Sequence, residues 1–380
     1  MNPFVPELLP IEVDWSALIP LIGPANRAIA NFNGALSALP NPDILLSPLT
    51  TQEAVLSSRI EGNQATLGEV LKSEAGEEPQ QESRRLDVQE ILNYRTALRR
   101  AEEELHTRPF NLNLLLELHN ILLDSVRGRN KGRGHFRTTQ NWIGAAGSSI
   151  EQADFVPPEP GHLMEHINNW EKYYHKDEPD LLVQLAVIHG QFEIIRPFLD
   201  GNGRLGRILI PLFLFEKGVL SRPVFYLSAY IEEHKDEYIE RLRGLSRTPP
   251  EWNRWVEFFL KAVIAQADVN LKTAQAIKEL YGNLKTEIID LTHSQFSVPL
   301  LDSLFEHPIF PSTALEGRKG LPSKQMTMML LGKLKQAGIL TVVRESSGRR
   351  PQILALPRLL NLCEGREVLP AAAESDQPVN

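Results

Sequence analysis

Between residues 196 and 207 the chain reads Arg196-Pro197-Phe198-Leu199-Asp200-Gly201-Asn202-Gly203-Arg204-Leu205-Gly206-Arg207, residue types and a spacing that suit phosphate. Gly201 and Gly203 let the backbone turn without a Cβ penalty, so successive amide N–H groups can converge at the start of a following helix. Such a nest favours an anion, because the unpaired N–H groups and the helix dipole act with the same sign. Arg204 and Arg207, three apart on the first turn, add fixed positive charge. Asp200 supplies a carboxylate of the kind that holds Mg²⁺ together with phosphate oxygens. On these residues alone two readings stand: a nucleotide or phosphate site, or a tight turn with two surface arginines, since a bare G-x-G is common.

The elements that must position this loop are mostly helical. Apolar residues recur at near-helical spacing over 84–105, 112–126, 162–174, 181–196, 205–215, 228–242 and 252–281. The first fifty residues carry Pro3, Pro6, Pro10, Pro20, Pro24, Pro40, Pro42 and Pro48, which predicts a stretch without long helices that wraps a surface. A helical pattern over 51–73 breaks at Glu61-Gly62-Asn63, and an acidic loop runs from Glu74 to Glu82. The glycine- and proline-rich segment 128–160 predicts two short strands around a turn.

Composition bounds the class. With 42% hydrophobic and 23% charged residues the chain is of ordinary globular type, and its 380 residues exceed one typical domain. The single cysteine, Cys363, fits a reducing, cytoplasmic compartment, with an intermolecular bridge or export without a cleavable signal left open. No run approaches the ~18 apolar residues of a membrane span, so no membrane partner is expected.

The string His189-x-x-Phe192-Glu193-x-x-Arg196-Pro197-Phe198-x-Asp200-Gly201-Asn202-Gly203-Arg204-x-x-Arg207 closely resembles the signature of the Fic family, whose members use ATP to attach AMP to hydroxyl side chains of other proteins. The resemblance implies ATP as co-substrate, Mg²⁺ on Asp200, and a hydroxyl-bearing target protein. Nucleotide contacts fall on Gly201, Asn202, Gly203, Arg204, Gly206 and Arg207, with Tyr230 and Tyr238 where relatives line the adenine pocket; ordinary aromatic packing is the other reading for the two tyrosines. Residues 134–144 with 155–158 look like the family's flap hairpin. Its Gln140, Asn141, Trp142 and Ile143 would pair with an extended target segment by strand addition. Ser57-Ser58-Arg59-Ile60-Glu61-Gly62 is similar to the family's inhibitory pattern, in which the glutamate pairs with the second arginine of the phosphate loop, here Arg207. Ser57 and Glu61 share a helical face, and Gly62 suits the left-handed position that ends a helix.

One position departs from the pattern. Where the family has a histidine that takes the proton from the attacking hydroxyl, this chain has Arg196, and an arginine with pKa above ~12 cannot act as a base. Three readings follow: a slow adenylyltransferase, hydrolysis of AMP from modified protein with Glu61 orienting water, or a nucleotide-sensing regulator without chemistry. His189, two helical turns upstream, suits packing or capping.

From Phe296 the pattern changes to three short helices (296–305, from 311, and 321–337) and a hairpin over 340–354, which resembles a winged helix-turn-helix. DNA would be met by Ser323, Lys324, Gln325 and Thr327 on the third helix and by Arg344, Arg349 and Arg350 on the wing. A dimer would suit paired half-sites, and a protein-contacting role for the module is the alternative. The charge agrees: residues 312–350 hold eight basic residues against Glu316 and Glu345, a balance of +6 within a total of −8 that leaves −14 on the rest. The expectation is therefore a mainly α protein: an N-terminal helical region with the inhibitory motif (1–107), a Fic core with a small β flap (108–265), a helical linker (266–290), a winged helix (291–363) and a disordered tail (364–380).

Overall fold

The computed structural model describes residues 2–126, 128, 130–145, 147 and 149–370. In chain order its elements are α1 (Trp15–Ser37), α2 (Pro42–Ile60), α3 (Leu67–Glu74), α4 (Glu82–Leu105), α5 (Leu112–Leu122), α6 (Leu163–Tyr174), α7 (Leu181–Ile195), α8 (Asn202–Glu216), α9 (Ser228–Glu233) and α10 (Lys235–Gly244). They continue with α11 (Trp252–Thr292), α12 (Ser297–Glu306), β1 (Ile309–Pro311), α13 (Lys324–Gln336), β2 (Thr341–Arg344), β3 (Ile353–Ala355) and α14 (Pro357–Glu364). The fold is mainly helical. No helix among the described residues is long and apolar enough to cross a membrane.

Two compact units emerge, and neither is a single stretch of chain. One takes residues 1–34, 56–63 and 89–270, the other 35–55, 64–88 and 271–380. The consecutive boundaries expected from sequence give way to this interleaving. The helical stretch 266–290 lies inside the continuous helix α11.

In the first unit, the polar residues of α7, Gln184, His189, Gln191 and Glu193, are scattered among apolar ones and form no polar face, and the helix is buried at every position from Leu182 to Ile195. Asp180 caps it, accepting from the amides of Leu182 and Val183. The indoles of Trp170 and Trp255 donate to the carbonyls of Ile188 and Ala186 on α7. Gly190 makes the second contact possible, since a Cβ there would lie 2.6 Å from the Trp255 nitrogen. Helix α8 is likewise buried from Asn202 to Leu214.

The prolines do not prevent long helices. α1 contains Pro20 and Pro24, and α2 contains Pro48, each at a cost of about 3 kcal/mol in a helix interior. In α1 that cost is opposed by burial of Leu18, Ala25, Ile29 and Phe32 on one face, at about 1.5–3 kcal/mol for each large side chain.

In the second unit, Thr66 and Glu69 form a reciprocal capping box that starts α3, and α3 packs on β1. The sheet has the order β1-β3-β2, all antiparallel, with Phe310 opposite Leu354 and Val342 opposite Leu354. Leu300, Leu304, Phe305, Phe310, Leu330, Leu334 and Leu354 are buried around it. The helix expected from Pro311 is absent: Pro311 closes β1, and residues 312–317 form turns. Pairing with the sheet continues one residue past β1, where the Ser312 amide donates to the Gln352 carbonyl at 2.8 Å. The tail also differs from expectation. The amides of Val368 and Leu369 donate to Asn361 Oδ1, so ordered chain extends past 364; residues 371–380 of the expected tail lie outside the described residues.

Candidate active site

Helix α7 ends at Arg196, whose backbone is left-handed at φ 45°, and α8 begins after Gly201 at φ 76°. The intervening turn is held by side chains. Asn202 accepts from the Phe198 amide and donates to the Phe198 carbonyl (2.9 and 2.8 Å), so its own side chain serves the loop and not a ligand. Gly201 has no side chain to cap α8, which leaves the first-turn amides to an anion.

Glu61 lies beside this turn. A Cβ on Gly203 would collide with Glu61 Oε1, so the carboxylate sits against the first turn of α8, next to Arg207. Arg207 donates to it from Nη2 at 2.7 Å and also to the Ser57 hydroxyl and carbonyl, each at 2.8 Å. Arg207 itself is 3% exposed. Gly62, at φ 92°, turns the chain just beyond Ile60 and brings Glu61 into this position. Burial opposes ionisation of Glu61, but Arg207, with Arg196 and Arg204 behind it, outweighs that and holds the carboxyl below its ordinary range.

Arg204 is 5% exposed. It stands 3.6 Å from Glu90 and 3.9 Å from Asp200, yet its Nε and Nη1 donate no hydrogen bond. A buried guanidinium with open N–H groups beside a helix N-terminus is a strong phosphate donor. Asp200 accepts from the Gly201 amide at 2.6 Å, and its side chain is 44% exposed.

A cavity of about 240 Å³ opens beside the loop, lined by Glu61, Ile143, Glu193, Arg196, Gly203, Arg207, Lys235 and Tyr238 among others. Tyr238 is thus at the cavity, with its hydroxyl 2.9 Å from His189 Nε2. Tyr230 does not line this cavity; it stacks on His234 at 4.0 Å and packs towards Phe258. His189 bridges Tyr238 and the Gly206 carbonyl, and burial pulls its pKa down to about 3.

The flap is less regular than expected. Among the described residues the flap shows one bridge, Ile143 with Phe155, in place of two strands; on one side of it Pro157 and Pro158 lack the N–H groups that would extend the ladder. Side chains replace the ladder: Gln140 donates to the Pro157 carbonyl and Asn141 to the Phe198 carbonyl, both at 2.9 Å. Gln140 and Asn141 therefore fix the segment, while Trp142 and Ile143 stay 43% and 38% exposed.

Several residues that the sequence did not single out also shape the loop. His119 stacks on Phe198 at 3.8 Å. It accepts from the Gly134 amide at Nδ1, which leaves Nε2 to donate to the Asp200 carbonyl; burial lowers its pKa to about 4. Arg137, 3% exposed, donates to the carbonyls of Arg196, Pro158 and Ile195. Lys235 donates to the Ile60 carbonyl at 2.6 Å. Arg137 and His119 flank the glycines of 128–134, but only the fold shows that they meet the loop. Arg137→Gln is expected to cost about 2–3 kcal/mol, since buried carbonyls lose their donors. A lower urea midpoint at unchanged m-value checks it; a loss under ~0.5 kcal/mol would show that the carbonyls are held by other groups.

In the second unit, the proposed DNA-reading residues are unevenly placed. Ser323, Lys324, Gln325, Arg349 and Arg350 are exposed, with Lys324 paired to Glu316 at 3.0 Å. Thr327 is 1% exposed and directed to the Pro322 carbonyl, because its position on α13 faces the core, so it is unavailable to a base. Arg344 is half-buried, with Nη2 on the Pro351 carbonyl.

Known proteins agree with this geometry. Residues 19–103 match the family described as Fic/DOC family N-terminal, and residues 109–214 match the Fic/DOC family itself. A probable protein adenylyltransferase of Aquifex aeolicus is 26% identical over 302 residues, 76% of this chain and 82% of that protein. The protein adenylyltransferase fic-1 of Caenorhabditis elegans is 26% identical over 157 residues, where the match spans only 29% of the relative. Among solved structures, a Fic family protein from Desulfovibrio desulfuricans shares the fold at TM-score 0.57 and 19% identity, over 94% of this chain and 98% of that one. The cradle of α8, the left-handed turn at Arg196 and these matches together show that the chain carries the N-terminal region and the Fic domain of the Fic/DOC family.

Proposed function

We propose that the protein transfers AMP from ATP to hydroxyl side chains of other proteins and that Glu61 restrains the reaction. The observation that carries this reading is the carboxylate of Glu61 seated on Arg207 against the first turn of α8, where a phosphate would otherwise sit. The first-turn amides and Arg204 would hold the α- and β-phosphates. Arg207 would hold the γ-phosphate once Glu61 withdraws. The hydroxyl oxygen then bonds to the α-phosphorus, the bond from that phosphorus to the bridging oxygen breaks, and pyrophosphate leaves. Positioning and charge do most of the catalysis in such a transfer.

Asp200 fits Mg²⁺, an ion that takes one or two carboxylates and completes its shell with phosphate oxygens and water. When bound, the ion neutralises phosphate charge. Trp142 and Ile143 present the exposed part of the flap to a target segment. Arg196 occupies the place of the family's histidine and cannot accept a proton; its guanidinium lines the cavity and suits negative charge there.

The test is incubation with ATP labelled at the α-phosphate. Label on protein is expected, strongest in Glu61→Gly; ATP binding without label in either form would overturn the reading. Hydrolysis of AMP from modified protein, in which Glu61 would orient water, needs its own assay: release of AMP from a pre-modified target, with loss of that release expected in Glu61→Gly. For the second unit we propose a winged helix that meets DNA through Arg349 and Arg350, the exposed cations of the β2–β3 turn. DNA retention at low salt is expected to fall in Arg349→Ala/Arg350→Ala, and retention equal to wild type would sink it.

A further inference from the structure

We propose that Glu193 accepts the proton of the attacking hydroxyl in this protein, a step that rests on the adenylyl-transfer reading above. Three carboxylates line the cavity: Glu61, Asp154 and Glu193. Glu61 is bound to Arg207. Asp154 is 55% exposed on its side chain and stands 3.7 Å from Arg243, so water already solvates it. Glu193 is the buried one, 6% exposed. Its Oε2 lies 3.7 Å from Arg196 Nη1, and its Oε1 has no hydrogen-bond partner.

A buried carboxylate oxygen without a partner costs free energy, and here the fold makes room for it. Gly206 has no side chain, and a Cβ there would fall 2.4 Å from Glu193 Oε1. The other cavity groups are already engaged: Lys235 with the Ile60 carbonyl, Tyr238 with His189 and Arg207 with Ser57 and Glu61. Oε1 is sealed against Gly206, so Oε2, 3.7 Å from Arg196 Nη1, is the oxygen through which Glu193 meets the cavity.

The charged groups facing it are Arg196, Arg207 and Glu61, with the Tyr238 hydroxyl nearby. Burial raises the Glu193 pKa, and Arg196 and Arg207 pull against that without cancelling it. A carboxyl displaced upwards is a better matched base near neutral pH than an ordinary one. In the reaction the hydroxyl proton passes to Glu193 as the oxygen–phosphorus bond forms, and pyrophosphate carries off the electron pair of the broken bond. Arg196, one helical turn on, favours the ionised form of Glu193 and so acts as a positioning residue.

The experiment measures AMP transfer in the Glu61→Gly background as a function of pH, together with ATP affinity. Glu193→Gln is expected to lower kcat by about 10²-fold, the smaller end of what a general base contributes, with ATP affinity unchanged. The acid limb of the pH profile, placed above the ordinary carboxylate range, should disappear. In Arg196→His, where an imidazole supplies the base, the same change should cost only a few-fold. An equal loss in both backgrounds, or a pH limb that survives Glu193→Gln, would overturn the proposal. Absence of label from Glu61→Gly and from Arg196→His alike would instead overturn the transfer reading itself.

Discussion

Glu61→Gly is expected to raise AMP labelling of protein by roughly 10- to 10²-fold at limiting ATP. The Glu61–Arg207 contact is a charge-assisted hydrogen bond at 2.7 Å, worth about 1.5–3 kcal/mol, and each 1.4 kcal/mol is a factor of ten. Glycine removes the competitor and leaves Arg207 fixed by Ser57, so the cradle itself survives. Acid does not open the clamp at working pH. The Glu61 pKa is lowered from 4.5; a depressed carboxyl gives a contribution that is complete above its unfolded pKa and lost only as pH falls through the folded one. The wild type should therefore stay restrained from pH 6 to 8. Labelling of Glu61→Gly at the wild-type rate, with ATP bound, would show that this carboxylate restrains nothing.

Arg196→His is expected to raise the rate by about 10²-fold. A positioned base contributes ~10²–10⁴, and the lower value applies because Glu193 supplies part of it already and because the loose transition state of phosphoryl transfer depends less on a base. The backbone accepts the change. Arg196 sits at φ 45°, a left-handed conformation in which histidine is among the better tolerated residues. The acid limb of the profile should move towards the imidazole range. A rate equal to that of wild type, with ATP affinity unchanged, would show that proton acceptance does not limit this protein.

Local sequence carried much of this far. The run Asp200-Gly201-Asn202-Gly203-Arg204 is a turn followed by a helix start for stereochemical reasons, and α7 had to be buried because it has no polar face. Ser57, Glu61 and Gly62 were legible as a unit through their resemblance to the Fic inhibitory pattern, with Ser57 and Glu61 on one helical face. Where the reading failed, the deciding contacts are distant in sequence. Prolines inside α1 are tolerated because Leu18, Ile29 and Phe32 find a core, which local propensity does not register. Tyr230 and Tyr238 look alike in sequence, yet one meets His189 and the other stacks on His234.

Residue type and short-range spacing by themselves determined a turn and helix start able to cradle phosphate, while the pairing of Glu61 with Arg207, 146 residues away, and the loss of the imidazole base were legible only through the resemblance to the Fic family. Only the tertiary structure decided which groups are free to act. Arg137, 59 residues from Arg196, holds the loop carbonyls, and Glu193 fits against α8 with one oxygen unpaired because Gly206, on the next helix, has no side chain. Burial and unmet hydrogen bonds are properties of the packed chain, set by neighbours that no local pattern names.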